Sequence, residues 1–200
     1  MTIENMLTIV RILVAPVFAA CFIAGEHQQQ MVFIWMALAL AVVIELSDFF
    51  DGRIARGRNR VSSFGKIVDP MADSLSRQTY FLSFLICGII PWWIFIVFMY
   101  RDLIISSLRI LLAFSGKVQA ARISGKLKAG FQAVATFVVL GVTLLRGYEV
   151  GPLAQSLWGR HPGFWIMVIT AALTLVSMIE YIVPAWASIR ATMHDYEGCS

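Results

Sequence analysis

Long apolar runs separated by short polar stretches follow one another from end to end of the chain. Six of them, Met6 to Ala24, Met31 to Phe50, Ile67 to Ile90, Trp92 to Phe114, Gly130 to Leu145 and Phe164 to Ala187, reach or approach the length that carries a helix across a hydrocarbon core, about 20 residues. The pattern predicts an all-α integral membrane protein of six transmembrane helices, forming a single membrane-embedded domain over residues 1–200. The first run begins almost at Met1 with neither a basic leader nor a small-residue cleavage site, so it is expected to stay in the protein. Pro16 and Pro184 are expected to kink their helices, and the polar tail ATMHDYEGCS to be loose.

Composition agrees with that pattern and excludes a soluble globular domain: 59% of the 200 residues are hydrophobic, 14% are charged, and mean hydropathy is +0.78. The basic residues set an orientation. Arg53, Arg56, Arg58, Arg60 and Lys66 follow the second run, and Lys117, Arg122, Lys126 and Lys128 follow the fourth. The alternate connections hold only Arg146 and Arg160, so the basic ones are expected on the cytoplasmic side, with both termini there too. The net charge of +4 is then mostly an orientation signal, and too little chain lies outside the lipid for a nucleic-acid surface. Cys21, Cys87 and Cys199 are too scattered for a disulfide frame or a zinc site. Trp92 and Trp93 read as interfacial anchors.

Against this apolar background the ionisable residues are informative, because each costs several kcal/mol in a membrane unless it finds a polar cavity and partners. Most fall at one depth. Arg11 lies near the start of helix one, Glu45, Asp48 and Asp51 near the end of helix two, and Asp69, Asp73 and Arg77 in the opening turns of helix three. Arg109 lies near the end of helix four, and Lys126 and Lys128 lead into helix five. Arg101 and Asp102 sit deeper, as adjacent opposite charges that can compensate one another.

Asp48 and Asp51 are three apart and Asp69 and Asp73 four apart, so each pair shares a helix face, with axial separations of about 4.5 and 6 Å. Four carboxylates around one cavity need cations, and an oxygen-only donor set selects hard divalent ions such as Mg²⁺ or Mn²⁺. Two ions fit. His27, His161 and His194 lie far from this stretch in sequence, which argues against zinc. Gly52 and Gly65 allow close approach of backbone or ligand, Pro70 sits in an early helical turn, and Arg56 supplies countercharge for phosphate oxygens. Metals and arginine at a membrane surface point to a phosphorylated lipid or a pyrophosphate. A divalent-cation transporter is the reading from another class; it calls for acidic groups deep along a pore, whereas these gather near one face.

The series Asp48-x2-Asp51-Gly52-x2-Ala55-Arg56-x8-Gly65-x3-Asp69-x3-Asp73 resembles the defining motif of the CDP-alcohol phosphotransferases at every fixed position. The resemblance implies a six-helix fold over nearly the whole chain and an alcohol hydroxyl that attacks the lipid-side phosphorus of a CDP-linked donor, expelling CMP. It implies that Asp48, Asp51, Asp69 and Asp73 hold two Mg²⁺ or Mn²⁺ ions, with Asp73 also the general base. Gly52, Arg56, Ser62 and Gly65 would meet the CDP-lipid, joined by Asn5 and Thr8 of NMLTIVR.

The later stretch RDLIISSLRILLAFSGKVQAARISGKLKAGFQ is similar to the phosphatidylglycerophosphate synthase branch. That likeness implies CDP-diacylglycerol as donor and sn-glycerol 3-phosphate as acceptor, with Arg109, Lys126 and Lys128 binding the acceptor phosphate. The branch usually has Lys where Ser74 stands and Glu where Asp102 stands. Phosphatidylglycerol (as in cardiolipin synthases of this fold), inositol phosphate and serine remain alternative acceptors. The resemblance further implies a homodimer in contact with membrane lipids, most simply in a bacterial inner membrane with the active site near the cytoplasmic face.

Overall fold

A computed structural model describes the backbone over residues 3–57, 65–114, 123–151 and 160–197, and side chains over 9–47, 72, 74–108, 129–151 and 160–184. The described residues form six α-helices: α1 (Ile3–Gln28), α2 (Met31–Gly57), α3 (Gly65–Ile86), α4 (Trp92–Phe114), α5 (Ile123–Gly147) and α6 (Gly163–Glu197). The all-α architecture and the helix count are those the hydrophobic pattern predicts. Three helices are long and apolar enough to cross a membrane, through Ile9–Gln28, Ala129–Gly147 and Gly163–Pro184, and the apolar stretch of α2, Met31–Ser47, is shorter.

The helix ends have local causes. At the end of α3, Gly88 takes a left-handed φ of 71°, and the Ile89 and Gly88 amides bond back to the carbonyls of Phe84 and Leu85. This double closure satisfies carbonyls that the helix would leave orphaned, and it stops α3 at Ile86, short of the Ile90 expected from hydropathy. The same closure ends α5 at Glu149 (φ 56°), and α1 ends at Gln29 (φ 56°) with a single bond from the Gln30 amide to the Gly25 carbonyl, although neither residue is glycine. Elsewhere the helices outrun the apolar stretches: α2 continues to Gly57, α5 begins at Ile123, and α6 continues through the tail expected to be loose, to Glu197. Polar residues remain helical once outside the hydrocarbon, and no Gly or Pro interrupts α6 between Pro184 and Glu197.

Each helix packs on two others, and the contacts close a cycle in the order α1, α2, α5, α6, α4, α3 and back to α1. Between α1 and α3 the seam is aromatic: Phe18 meets Tyr80 edge-on with centroids 4.5 Å apart, and Phe22 meets Phe84 at 5.1 Å. Phe81 stacks on Phe98 of α4 at 4.4 Å. Gly25 lets α1 lie against Ile34 of α2, and Gly147 does the same for α5 against Met31; a Cβ at either position would collide. Leu13, Val32, Leu103, Ile179 and Val183 are exposed around the outside, as lipid-facing side chains are. Trp92 and Trp93 are also exposed, consistent with anchoring. Cys21 is buried and Cys87 half-buried, both free, while Cys199 lies outside the described residues.

The deepest charges pair directly. Arg101 Nη1 donates to Asp102 Oδ1 at 3.0 Å, Gln78 Nε2 donates to Asp102 Oδ2 at 3.2 Å, and Arg101 Nη2 reaches Ser177 Oγ at 3.5 Å. One buried ion pair thereby ties α3, α4 and α6 together.

Candidate active site

The side chains of Asn5, Thr8, Asp48, Asp51, Arg56, Asp69, Asp73, Arg109, Lys126 and Lys128 lie outside the described ones, as does the whole of Ser62, but the backbone and the helix contacts fix the axial level of the helical positions. Gly25 of α1 meets Ile34 of α2; fourteen residues back along α1 is Arg11, and fourteen on along α2 is Asp48. Phe18 of α1 meets Tyr80 of α3, and seven residues back from each are Arg11 and Asp73. Asp48 and Asp73 therefore share one level, on the two helices that flank α1. By the same counting Thr8, Asp51 and Asp69 share a second level about one turn nearer the bundle end.

The other predicted positions come to the same zone. Gln78 of α3 bonds Asp102 of α4, so Arg109, seven residues on, stands level with Met71, between Asp69 and Asp73. Gly147 of α5 meets Met31 of α2, which sets Lys128 and Lys126 level with Phe50 and Gly52. Gly52, Asn5, Arg56 and Gly65 fall level with Asp69 or closer still to the end of the bundle. Positions assigned to metal, nucleotide and acceptor, Ser62 excepted, thus occupy a slab of about 12 Å across five helices, at eight residues of 1.5 Å rise. The ring of helices, not any sequence neighbourhood, sets this common depth.

The donor chemistry suits divalent cations. Two levels carry two carboxylate residues each, oxygen-only and hard; His27 and His161 stand at the opposite end of the bundle, while α6 carries His194, distant in sequence, to the aspartate end beyond both levels. The described groups at this end add positive charge and a boundary. Arg11, 2% exposed, brings a buried guanidinium to the level of Asp48 and Asp73. Arg11, Glu45 and Arg77 all lie within electrostatic reach of the buried Tyr80. About two turns inward from the aspartates, Phe18, Tyr80, Phe22 and Phe84 close the interior with apolar rings. The aromatic layer separates this charged end from the middle of the bundle.

A family profile described as CDP-alcohol phosphatidyltransferase matches residues 1–193. The chain belongs to that family. A Mycobacterium tuberculosis relative named "Probable phosphatidylglycerophosphate synthase" is 30% identical over 189 residues, 94% of this chain and 83% of its own length. The Bacillus subtilis "CDP-diacylglycerol--glycerol-3-phosphate 3-phosphatidyltransferase" is 28% identical, covering 95% of this chain and 98% of its own. A second M. tuberculosis relative carries a cardiolipin synthase name and is 29% identical over 86% of this chain and 81% of its own. As a CDP-alcohol phosphatidyltransferase, the chain is a membrane enzyme of the transferase class.

Two residues of this phosphatidyltransferase carry more than the sequence reading assigned them. Arg11 was legible as an arginine in an apolar run, but only the packing of α1 between α2 and α3 brings it level with one member of each aspartate pair, Asp48 and Asp73. Gln132 of α5, one turn beyond Lys128, is 0% exposed, and neither its Oε1 nor its Nε2 has a hydrogen-bond partner among the described residues. A glutamine ending a basic series reads as a surface residue; its burial appears only in the fold.

Proposed function

We propose that this enzyme transfers the phosphatidyl group of CDP-diacylglycerol to sn-glycerol 3-phosphate, giving phosphatidylglycerol phosphate and CMP. The observation that carries the reading is the shared axial level of Asp48 with Asp73 and of Asp51 with Asp69 on the helices flanking α1, with Arg109, Lys126 and Lys128 in the same slab. Relatives named for the same reaction support it.

In this reading Asp48, Asp51, Asp69 and Asp73 would hold two Mg²⁺ or Mn²⁺ ions. When bound, such ions supply Lewis-acid stabilisation of the diphosphate and of charge on the departing CMP. Arg56 pairs with donor phosphate oxygens, and Asn5, Thr8, Gly52, Ser62 and Gly65 shape the nucleotide's bed. Arg109, Lys126 and Lys128 bind the acceptor phosphate, whose double charge calls for several cations at close range. Asp73 takes the proton from the acceptor hydroxyl as its oxygen bonds to the lipid-bearing phosphorus, and the bond from that phosphorus to the CMP oxygen breaks. Arg11 neutralises part of the carboxylate field from below.

All six helices span the membrane in this reading, as one domain with both termini and the active site on the cytoplasmic side of a bacterial inner membrane. The protein works as a homodimer. A second acceptor, phosphatidylglycerol, is favoured by the relative with a cardiolipin synthase name and by Ser74, which lacks the charge a lysine would bring.

The test is CMP release by purified protein with CDP-diacylglycerol and Mg²⁺ against a panel of acceptors. Turnover with glycerol 3-phosphate is expected. Turnover with phosphatidylglycerol, serine or inositol phosphate but not glycerol 3-phosphate would overturn the acceptor assignment and leave the chemistry standing.

A further inference from the structure

At the end of the bundle opposite the aspartates, a cavity of about 490 Å³ opens where α1 and α5 stop and α2 begins. That volume is within the range of small-molecule sites. Glycines lower its walls: Gly25, Gly147 and Gly151 line it, and close packing of Gly25 on Ile34 and of Gly147 on Met31 draws the three helices together around it. The rest of the lining is mostly polar and of both signs, with Glu26, Glu149, Arg146, Gln29 and Thr143.

Three features of the lining define its binding character. First, Arg146 and Glu26 share the cavity and feel one another's charge, yet no ion pair closes between them. Second, the two non-glycine residues with left-handed φ among the described residues, Gln29 and Glu149, both line this cavity. Each bears a conformational cost of about 1 kcal/mol that glycine would not. Third, the neighbouring histidine adds no cation beside Glu26. His161 Nδ1 accepts from the Gly163 amide at 3.0 Å, so a neutral ring carries its proton on Nε2, which faces Thr143 Oγ1 at 3.4 Å. Burial, and then the nearby Arg146, hold the His161 pKa down to about 4, so His161 brings no cation to the carboxylates. Thr143 lines the same cavity as Glu26. His27, in the last turn of α1, is exposed and also acts on Glu26.

We propose that this cavity binds a zwitterionic amino-phosphate headgroup, with Glu26 and Glu149 receiving the ammonium and Arg146 the phosphate. Two carboxylates to one guanidinium favour a ligand whose cation enters deepest, and the closing carbonyl ends of α1 and α5 add to that preference. The depth suits a lipid. Trp35 Nε1 donates to the Tyr148 hydroxyl at 3.2 Å beside the cavity, an aromatic pair at the level where such residues mark headgroups. The same chemistry could arrive as a soluble phosphoethanolamine, and the experiment separates the two.

Purified full-length protein in detergent is titrated, with native mass spectrometry as readout, against phosphatidylethanolamine and against phosphatidylmethanol, which keeps the phosphate and lacks the amine. Phosphatidylethanolamine should bind about tenfold more tightly, the size of one charge-assisted hydrogen bond. Glu149→Gln, at an exposed position that does not threaten folding, should reduce that preference several-fold, and Glu26→Gln should abolish it. Arg146→Gln should weaken both lipids about tenfold. Displacement of the lipid by soluble glycerophosphoethanolamine would identify the free headgroup as sufficient, and failure to displace would assign the site to the lipid. Equal affinity for the two lipids, or a preference untouched by Glu149→Gln and Glu26→Gln, would overturn the proposal.

Discussion

Removing Asp102 should unbalance the interior of the bundle more than any other single change within the apolar zone. Asp102 is 7% exposed and accepts from Arg101 at 3.0 Å and from Gln78 at 3.2 Å. Arg101 stands nine residues into α4 from Trp92, about 13 Å at helical rise, where it is 9% exposed. Asp102→Ala removes the buried carboxylate that accepts from the Arg101 guanidinium. Breaking one partner of a buried pair costs about 3–5 kcal/mol, which for a chain of this length lowers Tm by about 10 °C. The informative comparison is Arg101→Met with Asp102→Leu. Deleting both charges removes the desolvation cost with the attraction, so the double variant should recover most of the loss. Thermal unfolding in detergent, followed by tryptophan fluorescence, reads all three proteins. An Asp102→Ala protein as stable as wild type, or a double variant as unstable as the single, would refute the argument that this pair is a desolvated link between α3, α4 and α6.

Other expectations follow from the candidate site and its surroundings. Asp73→Asn should lower CMP release by a factor of about 10² to 10⁴, the usual worth of a general base, while CDP-diacylglycerol binding measured by titration is largely spared. Lys126→Ala should raise the KM for glycerol 3-phosphate about tenfold with little change in kcat; kinetics identical to wild type would remove Lys126 from the acceptor site. His161 is held neutral, its pKa lowered from 6.5 to about 4, so it contributes stability that is fully present above pH 6.5 and is lost as pH falls towards 4. The total is about 3 kcal/mol, and wild type should lose more Tm than His161→Asn between pH 7.5 and pH 4.5. Gln132→Leu removes a buried amide that has no partner among the described residues, and should raise stability by about 1 kcal/mol or more in a denaturant titration.

Much of this protein was written in local pattern. Helices declare themselves through length and hydropathy, because a backbone in lipid must satisfy its own hydrogen bonds, and the spacing of the aspartates reveals their helix faces without any tertiary knowledge. The family motif, too, is local: eight fixed positions between Asp48 and Asp73. Helix ends were less legible. Gly88 could be foreseen as a stop, but Gln29 and Glu149 adopt the left-handed turn against their own preference, and no propensity announces that. The continuation of α6 to Glu197 was hidden by polarity, which describes the surroundings of a helix rather than its existence.

The membrane class, the six helices and the family are all legible from residues close together along the chain. The order of helices around the ring, the common level of Asp48 with Asp73, the burial of Arg11 and Gln132, and the polar cavity between the ends of α1 and α5 emerge only once the helices pack. Those features depend on contacts between residues far apart in the chain, such as Phe18 with Tyr80 and Gly25 with Ile34, the second across the α1–α2 turn. Hydrophobicity drives such surfaces together but is non-directional, so the register of one helix against another comes from the shapes of particular side chains once packed.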